Sequence, residues 1–496
     1  MAVEFFQAGN GEKTCKINNF PLHSAYEPSK EAERYVKNSI CKFKPKFVLV
    51  VEPGISYCVN YFRELYPDSK LCCVRLCDDF ADSDSLWDKV FYFSKTKSLN
   101  TDIFNYMGDE GIIACFFWSW PGAQNAFKEE NNAVWEEIKK AVIKTKSILN
   151  TRRYFAKRWT KNTLRFCLFS KYNAYILKGN SPVIVCASGP SLKSSIPFLK
   201  QYREQYFLVA VSSALSPLID ADIIPDVCIS TDGGYWAKLH LEFGLKRHNI
   251  PLVLPLEGAC YGEILNEHTI VPVAYGDGVG EKLIDKCNYI NVKAIRNGTV
   301  SGTAADFALS ITSGEVFFCG LDLSVSKGFS HTQPNELEIN DCIHDTRLRT
   351  QETRITPSTF NSPALDIYRA WFASNNFFHR VFRLSDNYDY KNNLGQIPDV
   401  DWKIFKQHIP TGILTKPTTL YLTHEIIKND RIKMLMEETW KNLDDIEWIK
   451  SVLPNEEILF ERSQPEDRET LGKKIRQEME NFAKEIQATF EKGLKT

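Results

Sequence analysis

Short apolar runs, each closed by a polar turn and followed by residues at helical spacing, recur along most of this 496-residue chain. Phe47–Val51 (FVLVV), Leu71–Leu76 and Ile112–Phe117 read as strands, with a helical stretch through Tyr57, Phe62 and Leu65 after the first. A second series follows: Val183–Ala187 (VIVCA), Phe207–Val211 (FLVAV), Val227–Ser230, Leu252–Leu254, Val316–Cys319 and Phe382–Leu384. Runs without internal alternation suit strands buried on both faces, and their alternation with helices implies parallel sheets. Ala133 to about Leu177 keeps helical spacing with one basic face. So do Glu425–Leu453 and Leu471–Leu494, with Pro454 and Pro465 between them. The predicted fold class is α/β, in three domains: a Rossmann-like N-terminal domain over 1–175, a doubly wound central domain over 176–400, and a helical module over 401–496.

Composition narrows the choice. Hydrophobic residues make up 43% of the chain, enough for large cores, and 61 Lys plus Arg against 62 Asp plus Glu leave a net charge of -1. That balance argues against nucleic acid as the main partner. The 14 Cys are scattered, many inside apolar runs, with no C-x-x-C pair. They read as reduced, buried thiols rather than a disulfide framework or a zinc site. The N-terminus lacks a signal-peptide pattern and no apolar run is long enough to span a bilayer, so the expected location is cytoplasmic.

The most informative stretch is VIVCASGPSL, Val183–Leu192. A buried strand runs into a tight turn, and Ser191 is placed to cap a helix through Leu192, Ile196, Phe198 and Leu199. Unpaired amides and the helix dipole at such a turn attract phosphate. Gly189 allows close approach and Pro190 stiffens the bend. Loops after the later strands carry Ser212-Ser213, Thr231-Asp232-Gly233-Gly234 and Gly320-Leu321-Asp322, where a doubly wound sheet binds ligands. Asp232 is one candidate general base, with a turn residue bonding its own backbone as the competing reading. His331 is the other, in a polar stretch over 325–362 that reads as a lid, with His344 a weaker candidate. Pro53-Gly54 reads as a structural turn. Asp220 and Asp222 read as a helix exit, and no metal ligands are assigned.

Taken in order, VIVCASGPSL, AVSSALSPLI, IPDVCISTDGG, NGTVSGTAADFAL and GLDLS closely resemble the motility accessory factor (Maf) family of flagellin glycosyltransferases. His23–Tyr35 also resembles that family's start. The Maf core is similar to bacterial sialyltransferases, so the resemblance implies a GT-A-variant central domain. It implies transfer of a nonulosonic acid, of pseudaminic or legionaminic type, from its CMP-sugar to Ser or Thr of flagellin, in support of flagellar assembly and motility. Carried over by position, Ser188, Gly189, Pro190 and Ser191 would hold the nucleotide, with Ser212 and Ser213 beside it. Thr231 and Gly233 would line the site, Ser301, Gly302 and Thr303 would lie near the cytosine or ribose, and Asp322 would form the floor. No cofactor is implied beyond the CMP-sugar as substrate. Ser188 stands where an Asn is common, and no Tyr pair follows Asp322. Lys327, His331, Arg347, Arg349 and Arg354 are the candidates for supporting the leaving phosphate. Two further readings stand beside this one: an enzyme like 6-hydroxymethyl-dihydropterin pyrophosphokinase, whose archaeal family shares the GPSL and PD-x-x-x-x-D elements, and a non-catalytic flagellin-binding assembly factor.

Overall fold

The computed structural model describes residues 3–17, 19–235, 237–296, 298–324, 331–350, 363–374, 379–384, 394–423, 428–463 and 465–494. The chain divides into two compact units. The first comprises 1–154 and 453–478, the second 155–452 and 479–496.

In the first unit, β1 (Val3–Gln7), β2 (Lys13–Ile17) and β3 (Phe20–Pro21) form a small antiparallel sheet. A four-stranded parallel sheet is built from β4 (Phe47–Val51), β5 (Lys70–Arg75), β6 (Lys89–Tyr92) and β7 (Cys115–Ser119), in the order β6-β5-β4-β7. The two-residue period of a strand sends neighbours to opposite faces. Val48, Val50, Leu71 and Cys73 enter one core with Phe62 and Trp120. Leu49, Val51, Cys72 and Val74 enter the other with Ile103 and Ile138. Adjacent Cys72 and Cys73 therefore belong to different cores, and none of the 14 cysteines is in a disulfide.

The carboxyl edge of this sheet is filled by its own chain. Glu52 and Arg75, both fully buried, pair at 3.2 Å. The Glu52 carboxylate also accepts from the Leu76 amide at 2.7 Å and the Gly54 amide at 3.1 Å. Gly54, at φ +58°, sits directly against the His23 ring, where a Cβ would collide. His23 Nε2 accepts from the Ile55 amide at 3.0 Å. The expectation that Pro53-Gly54 is a structural turn agrees with this packing.

The second unit holds β8 (Tyr172–Leu177), β9 (Val183–Cys186), β10 (Phe207–Val211), β11 (Val227–Ile229), β12 (Leu252–Pro255), β13 (Thr269–Ala274), β14 (Val292–Lys293), β15 (Val316–Cys319), β16 (Val381–Leu384), β17 (Asp399–Val400) and β18 (Thr418–Thr423). Their order is β17-β16-β15-β9-β10-β11-β12-β13-β8-β18, with β14 also on β13. Every pairing is parallel except β18 with β8. From β9 the chain steps outward through β10 to β13, then returns to place β15 on the other side of β9. The order reverses between β9 and β15, the position at which doubly wound sheets open a ligand crevice.

Three expectations change. The helix expected to reach Leu177 spans Lys128–Phe169, and residues 172–177 form β8. Ile112 and Ile113 close the helix Leu99–Ile113, and the strand starts at Cys115. The boundaries at 175 and 400 do not separate compact units. The first falls inside β8, and the segment 401–496 is neither all helical nor one body: it supplies β18 to the main sheet, and 453–478 belongs to the first unit. Pro454 and Pro465 each open a helix, at Pro454–Arg462 and Pro465–Leu494, where a missing N–H is tolerated.

Candidate functional site

The crevice between β9 and β15 is closed by a tight set of bonds. After β9 the chain turns through Ser188–Ser191 into the helix Leu192–Gln201, and after β15 it turns through Gly320 at φ +68°. The Gly189 amide donates to the Gly320 carbonyl at 2.8 Å. The Ser191 amide donates to Asp322 Oδ2 at 2.7 Å, and the Ser191 hydroxyl donates to Asp322 Oδ1. The Leu192 amide donates back to the Gly189 carbonyl at 3.0 Å. These amides, expected to grip a phosphate, are engaged within the fold. Asp322, 4% exposed, supplies at this helix N-terminus the negative charge a ligand was expected to bring. Pro190 has no amide to offer.

What remains open at this edge is hydroxyl and imidazole chemistry. The Ser213 hydroxyl donates to Ser188 Oγ at 2.7 Å. Ser212, buried, opens the short turn Ser212–Ala214. Thr332 ties the segment after 330 to the crevice: its amide donates to the Ser188 carbonyl at 2.7 Å, its hydroxyl to the Gly189 carbonyl at 2.5 Å. That anchor fixes the neighbouring His331, half-buried, beside the β9 turn. His331 Nδ1 lies 3.6 Å from Glu338 Oε1, and its ring centroid is 6.3 Å from that of His240. His240 Nδ1 is 3.2 Å from Glu336 Oε2, while Glu336 Oε1 accepts from the Ser216 hydroxyl. Asn335 caps the helix Glu336–Ile343 that carries both glutamates. The result is two imidazoles, each facing a carboxylate, at the mouth of the crevice.

Sequence reasoning missed His240, Glu336 and Ser216. His240 lies in the helix Ala237–Leu245, which no motif of the sequence marks, and nothing local links it to a glutamate 96 positions away. The spacing of Asn335 to Glu338, an N-cap before acidic residues, was the available signal.

Asp232 stands elsewhere. It follows β11, two strands from β9, roughly 10 Å along the sheet at the usual strand spacing. Its Oδ1 accepts from the Gly234 amide at 2.7 Å, so it makes the self-closing turn that was the competing reading, and it is exposed. Thr231 is half-buried, and Gly233 packs against the Trp159 ring, where a Cβ would collide. The buried Ser230 hydroxyl has no partner among the described residues. Ser301, Gly302 and Thr303 form the first turn of the helix Val300–Ile311, where Thr299 Oγ1 caps the Gly302 amide at 2.9 Å. This helix feeds β15, so its N-terminus lies at the carboxyl edge of the sheet. Beside it Arg296 pairs with Glu257 and, at 2.7 Å, with Asp277, over the Tyr275 ring at 4.5 Å. Burial pushes the Tyr275 hydroxyl up to about 12.

His344, Arg347 and Arg349 are exposed; Lys327 and Arg354 lie outside the described residues, as do 325–330 and 351–362 of the expected lid. Among the described residues no three His, Cys, Asp or Glu side chains are grouped to hold a metal ion.

The fold is a doubly wound α/β sheet with a candidate site at the switch point. Residues 157–328 match a family model described as 6-hydroxymethylpterin diphosphokinase MptE-like. A Treponema pallidum (strain Nichols) protein, described as uncharacterized, is 28% identical over 323 residues, 63% of this chain and 69% of that one. A solved structure, the MAf glycosyltransferase from Magnetospirillum magneticum AMB-1, is similar over 99% of this chain and 92% of that one, at 12% identity and a TM-score of 0.46. The family model covers the stretches VIVCASGPSL, IPDVCISTDGG and GLDLS. The structural likeness is too distant to speak for activity. No helix among the described residues is long and apolar enough to cross a membrane.

Proposed function

We propose that the chain is a group transferase, in the first place a glycosyltransferase, moving a nonulosonic acid from a CMP-sugar to serine or threonine hydroxyls of flagellin in the cytoplasm. The observation that carries this reading is the junction of the β9 turn, the β15 turn and residues 331–336 at the switch point. It sets His331 beside the switch-point crevice and the hydroxyls of Ser188 and Ser213, which supports this reading. In this reading the donor's phosphate lies toward Ser188, Ser213 and the first turn of Val300–Ile311, with the base near Ser301, Gly302 and Thr303. Thr231, Asp232 and Gly233 line the far wall. His331 takes the acceptor hydroxyl's proton as that oxygen bonds to the sugar's anomeric carbon. The bond from that carbon to the phosphate oxygen breaks, and CMP leaves with the electron pair. Glu338, 3.6 Å from Nδ1, orients the ring.

The family model favours a second reading, transfer of a diphosphate to a pterin hydroxymethyl group. Both reactions activate a hydroxyl toward a phosphorylated donor, so the same crevice serves either. Intact-mass analysis of flagellin from cells with and without this protein tests the first. A sugar-sized mass difference is expected, and an unchanged mass overturns it. AMP release from ATP with 6-hydroxymethylpterin tests the second.

A further inference from the structure

The helix Lys128–Phe169 enters the second unit at Phe155, and there one of its faces carries Arg158, Asn162 and Arg165 at i, i+4 and i+7. Asn162 anchors that face on the carboxyl edge of the sheet. Its Nδ2 donates to the Gly233 carbonyl at 3.2 Å and to the Glu257 carbonyl at 2.9 Å. Trp159, beside it, covers Gly233. The two exposed arginines therefore stand one turn on either side of the anchor, next to the loop after β11. Lys238, in the helix Ala237–Leu245 that leaves this loop, places its ammonium 4.8 Å from the Tyr235 ring centroid and 4.9 Å from that of Tyr261. None of the three cations meets a carboxylate among the described residues. Glu242, on the same helix, is taken by Lys246 at 2.6 Å. Burial first, then the charges of Arg165 and Arg158, push the Lys238 ammonium below the usual lysine range. Three converging cations without a counter-charge repel one another, an arrangement that an incoming anion relieves.

We propose that Arg158, Arg165 and Lys238 form a binding site for the oligophosphate group of a small ligand, lying over the loop after β11. The planar guanidinium forks suit phosphate oxygens in pairs, and the lysine adds a point charge to theirs. The Tyr235 and Tyr261 rings hold that lysine by their faces and keep it aimed at the loop. The site lies two strands from the His331 cluster, and its existence does not depend on which group that cluster transfers.

Inorganic pyrophosphate titrated into the full chain by calorimetry tests it, at about 50 and 200 mM salt. The double variant Arg165→Gln, Lys238→Gln should bind at least tenfold more weakly than the unaltered protein, with a shallower salt dependence. Its thermal midpoint without ligand should be equal or higher, because removing unpaired like charges relieves repulsion. No pyrophosphate binding by the unaltered protein, or equal binding by both, overturns the proposal. A variant that loses midpoint instead shows that the cations serve the fold, and overturns it equally. His331→Gln should leave pyrophosphate affinity unchanged, which separates this site from the transfer reaction.

Discussion

At position 189 an added Cβ would press on the Gly320 carbonyl oxygen and come within 2.8 Å of Asp322 Cγ. The residue is glycine because two loops cross there, and a sequence cannot distinguish that need from room for a ligand. Gly189→Ala is expected to destabilise the protein by roughly 1–3 kcal/mol, as other overpacked sites do. Thermal unfolding without any ligand checks this: an unchanged midpoint would return Gly189 to the role of a ligand-facing residue. His331 was legible for another reason. A histidine in a polar segment close after a motif strand is conspicuous, and the structure anchors it through Thr332. Its partner across the crevice mouth, His240, was invisible because its meaning comes from Glu336. His331→Gln should lower turnover about 10²- to 10⁴-fold with the donor's KM little changed. Asp232→Asn, which keeps an acceptor for the Gly234 amide, should have a small effect. The reverse ranking in initial-rate assays would move the base to Asp232.

Elements were legible where burial on both faces made the apolar run continuous. Phe47–Val51, Phe207–Val211 and Val316–Cys319 are strands over the ranges their sequences imply. Strands with one partly exposed side were hidden. Tyr172–Leu177 follows a long helix with no Gly or Pro between them, and Thr418–Thr423 (TTLYLT) sits in a region dominated by charged helices. Each becomes a strand by pairing with the other, Tyr172 opposite Thr423 and 251 positions away from it, so no local pattern marks either. The edge of the first unit's sheet gives a pH prediction. His23 is 1% exposed, lies between the Tyr57 and Trp120 rings, and its Nδ1 has no hydrogen-bond partner among the described residues. Burial pushes its pKa down to about 3. Unfolded, it takes up a proton below about pH 6.5; folded, it stays neutral until about pH 3. Its contribution is therefore fully present above pH 6.5 and is lost as pH falls through that window, by up to about 4–5 kcal/mol. His23→Gln keeps an acceptor for the Ile55 amide without the titration. Urea unfolding at pH 7 and pH 4.5 should show the unaltered protein losing about 2–3 kcal/mol more than the variant. Equal losses would place the acid sensitivity elsewhere.

On the scale of the whole molecule, the apolar pattern revealed two parallel α/β sheets but not how the chain is shared between them. Hydrophobic spacing reports that the C-terminal helices bury a face; it does not say in which unit. The first unit includes residues from the far end of the chain. The Lys44 amide donates to the Arg462 carbonyl at 3.4 Å, the Arg462 guanidinium lies 4.0 Å from the Phe43 ring centroid, and Lys46 pairs with Glu461. A cation over an aromatic face contributes about 0.5–2 kcal/mol and a partly exposed ion pair about 0–1 kcal/mol. A fragment ending at Tyr154 keeps both of its sheets and loses these contacts. It is expected to fold with a thermal midpoint roughly 3–6 °C below that of the same fragment mixed with a peptide spanning 453–478, since about 1 kcal/mol shifts a domain of this size by about 2–4 °C. Near-ultraviolet circular dichroism during heating reads the difference. Phe43→Leu, which removes the ring but keeps an apolar side chain, should shrink the peptide's effect. If the peptide leaves the midpoint unmoved at saturating concentration, residues 453–478 do not belong to the first unit, and the three-part division at 175 and 400 regains its standing against the two-unit one.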